Sequence, residues 1–172
     1  MTLHPASPEA EDRIDKLAAA SGWLAGGVTL VMMVAIVREV VGRYFFHCPS
    51  DWSLELSEYM LVALAYLGAP YTELTDGNIR IDFIYGRYTP RVRAWADIFI
   101  NSLAMLWSGM LVWQGWRLAW ESWQLGARSS QAMAWPLFPS QVLVPIGALL
   151  VCLVLMLKIW RSIRFLAAGG KR

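Results

Sequence analysis

Residues 52–82 read WSLELSEYMLVALAYLGAPYTELTDGNIRID, and this stretch decides the fold. Two acids, Glu55 and Glu58, stand near its start, and an apolar run follows as far as a Gly-Ala-Pro break that begins at Gly68. The stretch then ends in a polar Asp-Gly-Asn turn and a short segment that alternates apolar and charged residues. An apolar run with polar residues at both ends is typical of a helix that crosses a membrane.

The composition of the whole chain indicates the same environment. Its 172 residues are 57% hydrophobic and 16% charged, with a mean hydropathy of +0.43 and ten tryptophans. This is too apolar for an ordinary soluble domain. Four runs have enough uncharged sequence, or nearly enough, to cross roughly 30 Å of hydrocarbon at about 1.5 Å per residue. They are residues 17–37, 59–72, 98–116 and 136–157.

We therefore predict an all-α integral membrane protein with four transmembrane helices in a single domain, 1–172. The second run has only 14 uncharged residues, so on length alone it also fits a buried or re-entrant helix, unless residues 54–58 form its first turn. The predicted spans are residues 17–42, 54–74, 95–120 and 137–160.

Lysine and arginine are distributed unevenly outside the runs. Eleven lie in the N-terminal tail, the second connection and the C-terminal tail, against two, Arg43 and Arg128, in the other connections. Basic residues favour the cytoplasmic side. The sequence thus predicts that both termini are cytoplasmic, with tails at 1–16 and 161–172. Residues 1–16 carry four acids rather than a basic leader, so we expect the first span to be retained.

Charged residues near the outer ends of the first two runs predict an ion pair that joins the two helices. Glu39 is placed to reach Arg43 one helical turn later, which leaves Arg38 to seek an acid on another helix. Glu55 and Glu58 are three residues apart and therefore share one helical face. We predict that Arg38 or Arg43 pairs with Glu55 or Glu58.

Tryptophans gather near the predicted ends of the spans. Trp113, Trp116, Trp120 and Trp123 are spaced three and four residues apart, which places four indoles on one helical face. Indole rings favour the headgroup level of a bilayer. We interpret these four residues as interfacial anchors or as a packing surface for a partner helix, and a stripe that stacks on a ligand is the alternative.

The connection between the second and third runs has its own pattern. Residues 79–83 alternate, and aromatic and basic residues follow as far as residue 95. We favour a short interfacial segment on the inner leaflet, with a plain solvated linker as the alternative. In the first run, Gly22, Gly26 and Gly27 predict close contacts with another helix.

The predicted middle of the bilayer offers few polar groups. Thr29, Ser102, Ser108 and Cys152 are almost all that the four runs carry there, so no continuous path for a proton or an ion is visible. Cys48 and Cys152 are too far apart for a disulfide. No run contains a histidine that could ligate haem. We predict that the chain is not an enzyme and has no cofactor, no metal site and no nucleic-acid partner.

The order of several motifs resembles one family. The motifs are Trp52-x-x-Glu55 before an apolar helix, Gly68-Ala69 at its far end, and GNIRID at residues 77–82. They resemble the small membrane subunit of tripartite ATP-independent periplasmic (TRAP) transporters, of the DctQ type. The likeness extends to Arg43-Tyr44-Phe45, to Pro145-Ile146-Gly147 and to the basic residues of 158–164. The family-motif positions are Trp52, Gly68, Gly77, Asn78, Asp82, Pro145 and Gly147.

The resemblance implies a division of labour in a bacterial inner membrane. A periplasmic solute-binding protein delivers an organic acid, and a large multi-span permease subunit moves it together with sodium. The small subunit pairs with the large one as a scaffold among membrane lipids. The substrate stays open among C4-dicarboxylates, sialic acids, other keto or hydroxy acids and sulfonates.

One motif position departs from the family pattern. The family commonly has His where this chain has Asn78, and Ile81 stands in place of the usual Val. An amide does not titrate, so Asn78 fits a structural hydrogen bond at the turn better than proton handling.

Two other classes of function remain as alternatives. The chain could be an independent four-helix transporter that acts as an oligomer, or a membrane anchor of a redox complex. The first class predicts transport by the purified chain alone, and the second predicts haem or flavin absorbance.

Overall fold

The computed structural model describes residues 8–48, 50–75, 77, 89–130 and 133–167. Within these ranges the chain forms four long helices and no strand. They are α1 (Pro8–Phe45), α2 (Asp51–Leu74), α3 (Pro90–Leu125) and α4 (Phe138–Ala167). The predicted all-α membrane fold is confirmed. The predicted interfacial segment between the second and third helices falls mostly on residues 78–88, outside the described residues.

Three of the described helices are long and apolar enough to cross a membrane. They are the segments Glu11–Phe45, Arg91–Leu125 and Phe138–Ala167. The shorter α2 is not among the helices that combine this length with this apolar composition. Its 24 residues nevertheless extend about 36 Å, more than the roughly 30 Å of a hydrocarbon core. The boundaries of the four spans therefore stay predictions.

Helix α1 begins within the segment that we predicted to be a tail. It starts at Pro8, with Glu9 and Glu11 in its first turn. Acids there interact favourably with the helix dipole, and proline is tolerated in a first turn because its missing N–H has no partner to lose. The acids that set this segment apart from a membrane span thus favour the start of a helix.

The helices form two pairs that meet along one seam. The pairs are α1 with α2 and α3 with α4, and α2 packs against α4 to join them, whereas α1 touches α4 only lightly. The flanking helices α1 and α3 are therefore largely open on their outer faces. In the apolar stretch of α1 and in that of α3, only 11% of the residues are buried, against 33% in the apolar stretch of α4. An exposed apolar surface of this extent fits lipid or a membrane partner rather than water.

Small side chains dominate the buried positions of the flanking helices. On α1 these include Ala18 and Ala25, and on α3 they include Ala94 and Ala119. Small residues let helix backbones approach closely, which is how helices associate in a bilayer that supplies no hydrophobic driving force. The centre of α4 has larger buried residues, and Leu155 is among the fully buried side chains.

Two glycines are required by close contacts between helices. A Cβ atom on Gly147 of α4 would collide with the backbone oxygen of Tyr66 and lie 2.7 Å from its Cβ, so only glycine lets α2 and α4 meet there. A Cβ atom on Gly22 of α1 would lie 2.5 Å from Cγ of Tyr71. The predicted contact is thus confirmed for Gly22. For Gly26 and Gly27 nothing among the described residues lies within 4 Å of an added Cβ, so their predicted contact is not made within this part of the chain and stays a prediction.

The two ends of this bundle need separate names. At the terminal end, α4 meets the start of α1 through Arg164 and Glu11, and it meets the last turn of α2 through Lys158 and Glu73. At the loop end, the last turns of α1 meet the start of α2 through Arg38 and Ser50. The first turn of α1 and the last turn of α4 therefore lie at the same end of the bundle.

Candidate functional site

The loop ends of α1 and α2 are tied together by a small polar cluster. The Glu39 carboxylate accepts hydrogen bonds from the hydroxyl of Ser50 and from its backbone N–H, the latter at 3.1 Å. The guanidinium of Arg38 donates to the Ser50 hydroxyl at 3.0 Å and lies 5.1 Å from the ring centre of Trp52, within the range of a cation–π contact. The cluster holds the start of α2 against the last turns of α1.

This cluster corrects the predicted ion pair between α1 and α2. The arginine nitrogens lie 3.8 Å (Arg38) and 3.5 Å (Arg43) from oxygens of Glu39, rather than against Glu55 or Glu58. The predicted Glu39–Arg43 contact is confirmed. The predicted pairing of Arg38 or Arg43 with an acid of α2 is wrong, because both arginines lie beside Glu39 of their own helix. The physical reason is reach, since Glu39 sits one residue from Arg38 and one turn from Arg43 and can serve both cations.

Glu55 faces away from the arginines. Its side chain is fully buried, at 0% exposure, and Oε1 accepts the backbone N–H of Trp135 at 3.0 Å. The other oxygen, Oε2, is also buried and has no hydrogen-bond partner in the described part of the chain. The sequence analysis selected Glu55 as a candidate position. Its partner Trp135 lies 80 residues later, in a connection whose path cannot be predicted from a local sequence pattern.

The connection between α3 and α4 folds back as a short hairpin. Ser129 N–H donates to Trp135 O at 2.8 Å, and Leu137 N–H donates to Ala127 O at 3.1 Å. Ala134 adopts a left-handed φ of 50°, which costs a residue with a Cβ and persists only where its surroundings hold it. Trp135 follows directly, so the bond from its N–H to Glu55 is one of the contacts that hold this turn.

Tyr59 supports the same hairpin from one turn further along α2. Its hydroxyl donates to Pro136 O at 2.9 Å, and its ring meets that of Trp135 edge to face with centres 5.9 Å apart. Glu55 and Tyr59 together form a latch, defined as these two residues on the hairpin backbone at Trp135 and Pro136. The latch joins the two helix pairs at the loop end.

The terminal end is joined by ion pairs instead. Lys158 Nζ lies 2.7 Å from Glu73 Oε1, and both side chains are only 14% exposed. Arg161 lies 2.9 Å from Asp15, and Arg164 lies 3.4 Å from Glu11. The cluster links α4 to both α1 and α2. Sequence reasoning missed the α1 part of the cluster by assigning Glu11 and Asp15 to a tail, although their i,i+4 spacing within a helix-start pattern was a usable signal.

The family-motif positions fall mainly at helix contacts. Trp52 lies beside Arg38, and an added Cβ on Gly68 would lie 3.7 Å from Ala25 Cβ. Pro145 lies against Gly115, whose added Cβ would approach its Cδ to 3.1 Å. Gly77 N–H donates to Thr72 O at 2.9 Å and closes the end of α2. Asn78 and Asp82 lie outside the described residues, so the expected role of Asn78 stays a prediction.

The four tryptophans of α3 are all exposed. Trp113, Trp116, Trp120 and Trp123 have exposed fractions between 54% and 68%. Trp123 also meets Phe138 of α4, with ring centres 4.7 Å apart.

The described residues contain no group of three or more His, Cys, Asp or Glu side chains placed to hold a metal ion. Their charged side chains lie near the two ends of the bundle, and the uncharged runs predicted from the sequence lie between them. The arrangement can hold helices in place and present surfaces.

Comparison with known proteins gives a consistent result. Residues 32–165 match the family described as tripartite ATP-independent periplasmic transporters, DctQ component. The chain is also 24% identical over 84 residues to the sialic acid TRAP transporter permease protein SiaT of Haemophilus influenzae. That match covers 49% of this chain but only 14% of the relative. Since the family match takes in all or part of every helix, including both sides of the seam, the chain belongs to the family of DctQ components of TRAP transporters.

Proposed function

We propose that this chain is the small permease subunit that pairs with a larger permease subunit and steadies it during sodium-coupled uptake of an organic acid. The match of residues 32–165 to the DctQ family carries the proposal. A periplasmic solute-binding protein delivers the acid. The name of the Haemophilus relative makes sialic acid one candidate within this class of substrate.

The distribution of contacts supports a scaffold role. The helix pairs are fastened at the loop end by the latch and at the terminal end by ion pairs, with Gly147 close against Tyr66 between them. A bundle fastened at three levels resists sliding of one helix pair past the other. The open outer faces of α1 and α3 leave a large surface for a partner or for lipid.

The charge-free runs of the helices argue against an independent transporter. Moving an anion or a sodium ion through hydrocarbon requires polar groups along its depth, because an unpaired charge there costs several kcal/mol. In the described helices the long runs between the charged ends lack acids and bases, as in residues 17–37 and 139–157. The ion and the acid are therefore handled by the larger subunit.

A direct test uses assembly and uptake together. The chain is expressed with its larger permease subunit, with an affinity tag on this chain alone, and the purified complex is placed in liposomes with the binding protein outside. We expect the larger subunit to co-purify, and uptake driven by a sodium gradient to fall strongly when this chain is omitted. Uptake by this chain alone, or purification with haem or flavin absorbance, would instead support the alternative functions.

The orientation is part of the proposal. We place the terminal end in the cytoplasm and the loop end in the periplasm, because basic residues concentrate on the side of both termini. Cys48 is an exposed free thiol at the loop end, and Cys152 is only partly exposed within α4. A membrane-impermeant maleimide should label intact spheroplasts carrying the native chain but not the Cys48→Ser variant. Labelling of Cys48 only in inverted vesicles would contradict this orientation and indicate the opposite one.

A further inference from the structure

The last turns of α1 carry a groove with one cation in its lining. The α1 groove is a cavity of about 530 Å³, and the residues that define it are Met33, Val34, Val37, Arg38, Val41 and Phe46. The first five share one face of the helix, because their spacing repeats every three to four residues. The groove therefore runs along the helix rather than around it.

The turn after α1 forms one wall of this groove. The backbone N–H groups of Phe46 and Cys48 both donate to Gly42 O, at 3.2 Å and 3.1 Å. His47 between them has a left-handed φ of 52°. The chain thus folds back at the loop end, and Phe46 and Cys48 line the groove together with the helix.

The groove crosses the predicted edge of the hydrocarbon. The charge-free run 17–37 has 21 residues and extends about 31 Å, which matches a hydrocarbon core of roughly 30 Å. Met33, Val34 and Val37 therefore lie at hydrocarbon level, and each is more than half exposed. Arg38 follows directly after the run, where a long basic side chain reaches the headgroup level. An apolar channel thus leads up to a cation.

Arg38 is held in place with donors to spare. One of the five N–H groups of its guanidinium donates to the Ser50 hydroxyl at 3.0 Å, and the ring centre of Trp52 lies 5.1 Å away. Glu39 lies beside both Arg38 and Arg43, and its oxygens also accept two hydrogen bonds from Ser50. One acid therefore serves two arginines, and both arginine side chains are 57% exposed.

We propose that the α1 groove binds an anionic phospholipid, with the lipid phosphate on the Arg38 guanidinium and one acyl chain along Met33 and Val37. Guanidinium and phosphate groups match in geometry and form paired hydrogen bonds. Among the described residues that line the groove, Arg38 carries the only charge, so the groove complements an anion with an apolar tail. A helix with apolar side chains alone would cover Arg38 without neutralising it, which is costly beside hydrocarbon. Lipid binding here needs the membrane fold and is independent of the proposed partner and substrate.

Native mass spectrometry of the purified full chain tests the preference for an anion. The chain is stripped of bound lipid in detergent and is titrated with phosphatidylglycerol or with phosphatidylethanolamine of the same acyl chains. We expect phosphatidylglycerol to bind about fivefold more tightly, because a cation near the headgroup favours a lipid with net negative charge. Equal affinities, or tighter binding of phosphatidylethanolamine, contradict an anionic lipid site.

Two variants separate the headgroup contact from the apolar channel. Arg38→Gln should weaken binding of phosphatidylglycerol by about tenfold through the loss of charge-assisted hydrogen bonds, and Val37→Trp should weaken it comparably by filling the channel. Arg117→Gln and Leu103→Trp are matched controls, since both native side chains lie on α3 and are about three-fifths exposed. If Arg38→Gln unfolds because it loses its bond to Ser50, Val37→Trp decides the outcome. Native affinity in a folded groove variant, or an equal loss in the controls, means that the groove does not hold the lipid.

A photoactivatable phosphatidylglycerol with a diazirine in its acyl chain locates the bound lipid. The native chain and the Val37→Trp variant are each assembled with the larger permease subunit in nanodiscs that contain this probe, and the labelled peptides are identified by mass after illumination. We expect labelling of residues 33–46 in the native chain and less labelling in the variant. Equal labelling by a phosphatidylethanolamine probe, as for lipid without a specific site, overturns the proposal. Labelling of the larger subunit alone overturns it as well, because protein then covers the groove.

Discussion

The two ends of the bundle fasten the same helix pairs by different means. At the loop end, a buried carboxylate and a tyrosine hydroxyl bind the backbone of the α3–α4 hairpin. At the terminal end, basic side chains of α4 bind acids of α1 and α2. Hydrogen bonds to a backbone specify one path of the chain, whereas ion pairs of flexible side chains tolerate small shifts and weaken with salt. We conclude that the loop end has a fixed shape and the terminal end is more adaptable.

The strongest challenge to this comparison comes from the middle of the bundle. Gly147→Val should lower the free energy of unfolding by about 3 kcal/mol, because the added side chain meets the backbone of Tyr66 and forces α2 from α4. Thermal unfolding in detergent measures the loss. Gly109→Val is the matched control, since nothing lies within 4 Å of an added Cβ there. If the two variants are equally stable, the seam is not closely packed and the fastened ends alone hold the pairs.

The next largest effect is expected at the loop end. Glu55→Ala leaves the part-buried Trp135 N–H without its acceptor and opens a cavity where the Glu55 side chain is fully buried, and should cost about 2 to 3 kcal/mol. Glu55→Gln keeps a carbonyl oxygen that can accept the same bond and should retain most of the stability. Hydrogen exchange should accelerate at residues 133–137 in the alanine variant but not in the terminal-end turns. Equal losses for both variants would mean that the charge, rather than the acceptor, stabilises the hairpin.

The fold was easier to predict than these contacts. Uncharged runs located the four helices because each run follows from composition over many residues. Glu55 was selected as a special position, but its partner Trp135 depends on a left-handed turn at Ala134 that has no glycine to signal it. Likewise Gly22 and Gly26 look alike in sequence, and only the helix rotation decides that Gly22 meets Tyr71. Local patterns thus predict helices, whereas the faces that meet depend on the whole assembly.

A smaller effect is expected for the least exposed ion pair of the terminal end. Glu73→Gln should cost about 2 kcal/mol, because Lys158 then keeps its charge at a position with 14% exposure without this acid. The double variant Glu73→Lys/Lys158→Glu restores an opposite pair and should recover at least half of the loss. A double-mutant cycle on the thermal unfolding data gives the coupling. Additive losses would show that the two residues act separately, and the terminal end would then lack a specific fastening.

The smallest effect is expected where the terminal end is most exposed. Arg161 has a side chain that is 45% exposed and lies 2.9 Å from Asp15, so Arg161→Gln should cost only about 0.5 kcal/mol at low salt. Since the screening length falls to about 3 Å in 1 M salt, the difference from the native chain should vanish there. Arg117→Gln is the matched control, because the Arg117–Glu121 pair lies within one helix and fastens nothing. The decisive comparison is with the latch, since the loss from Glu55→Ala should persist in 1 M salt. If high salt removes both losses alike, the two ends are fastened by the same electrostatic means and the fixed shape of the loop end has no physical basis.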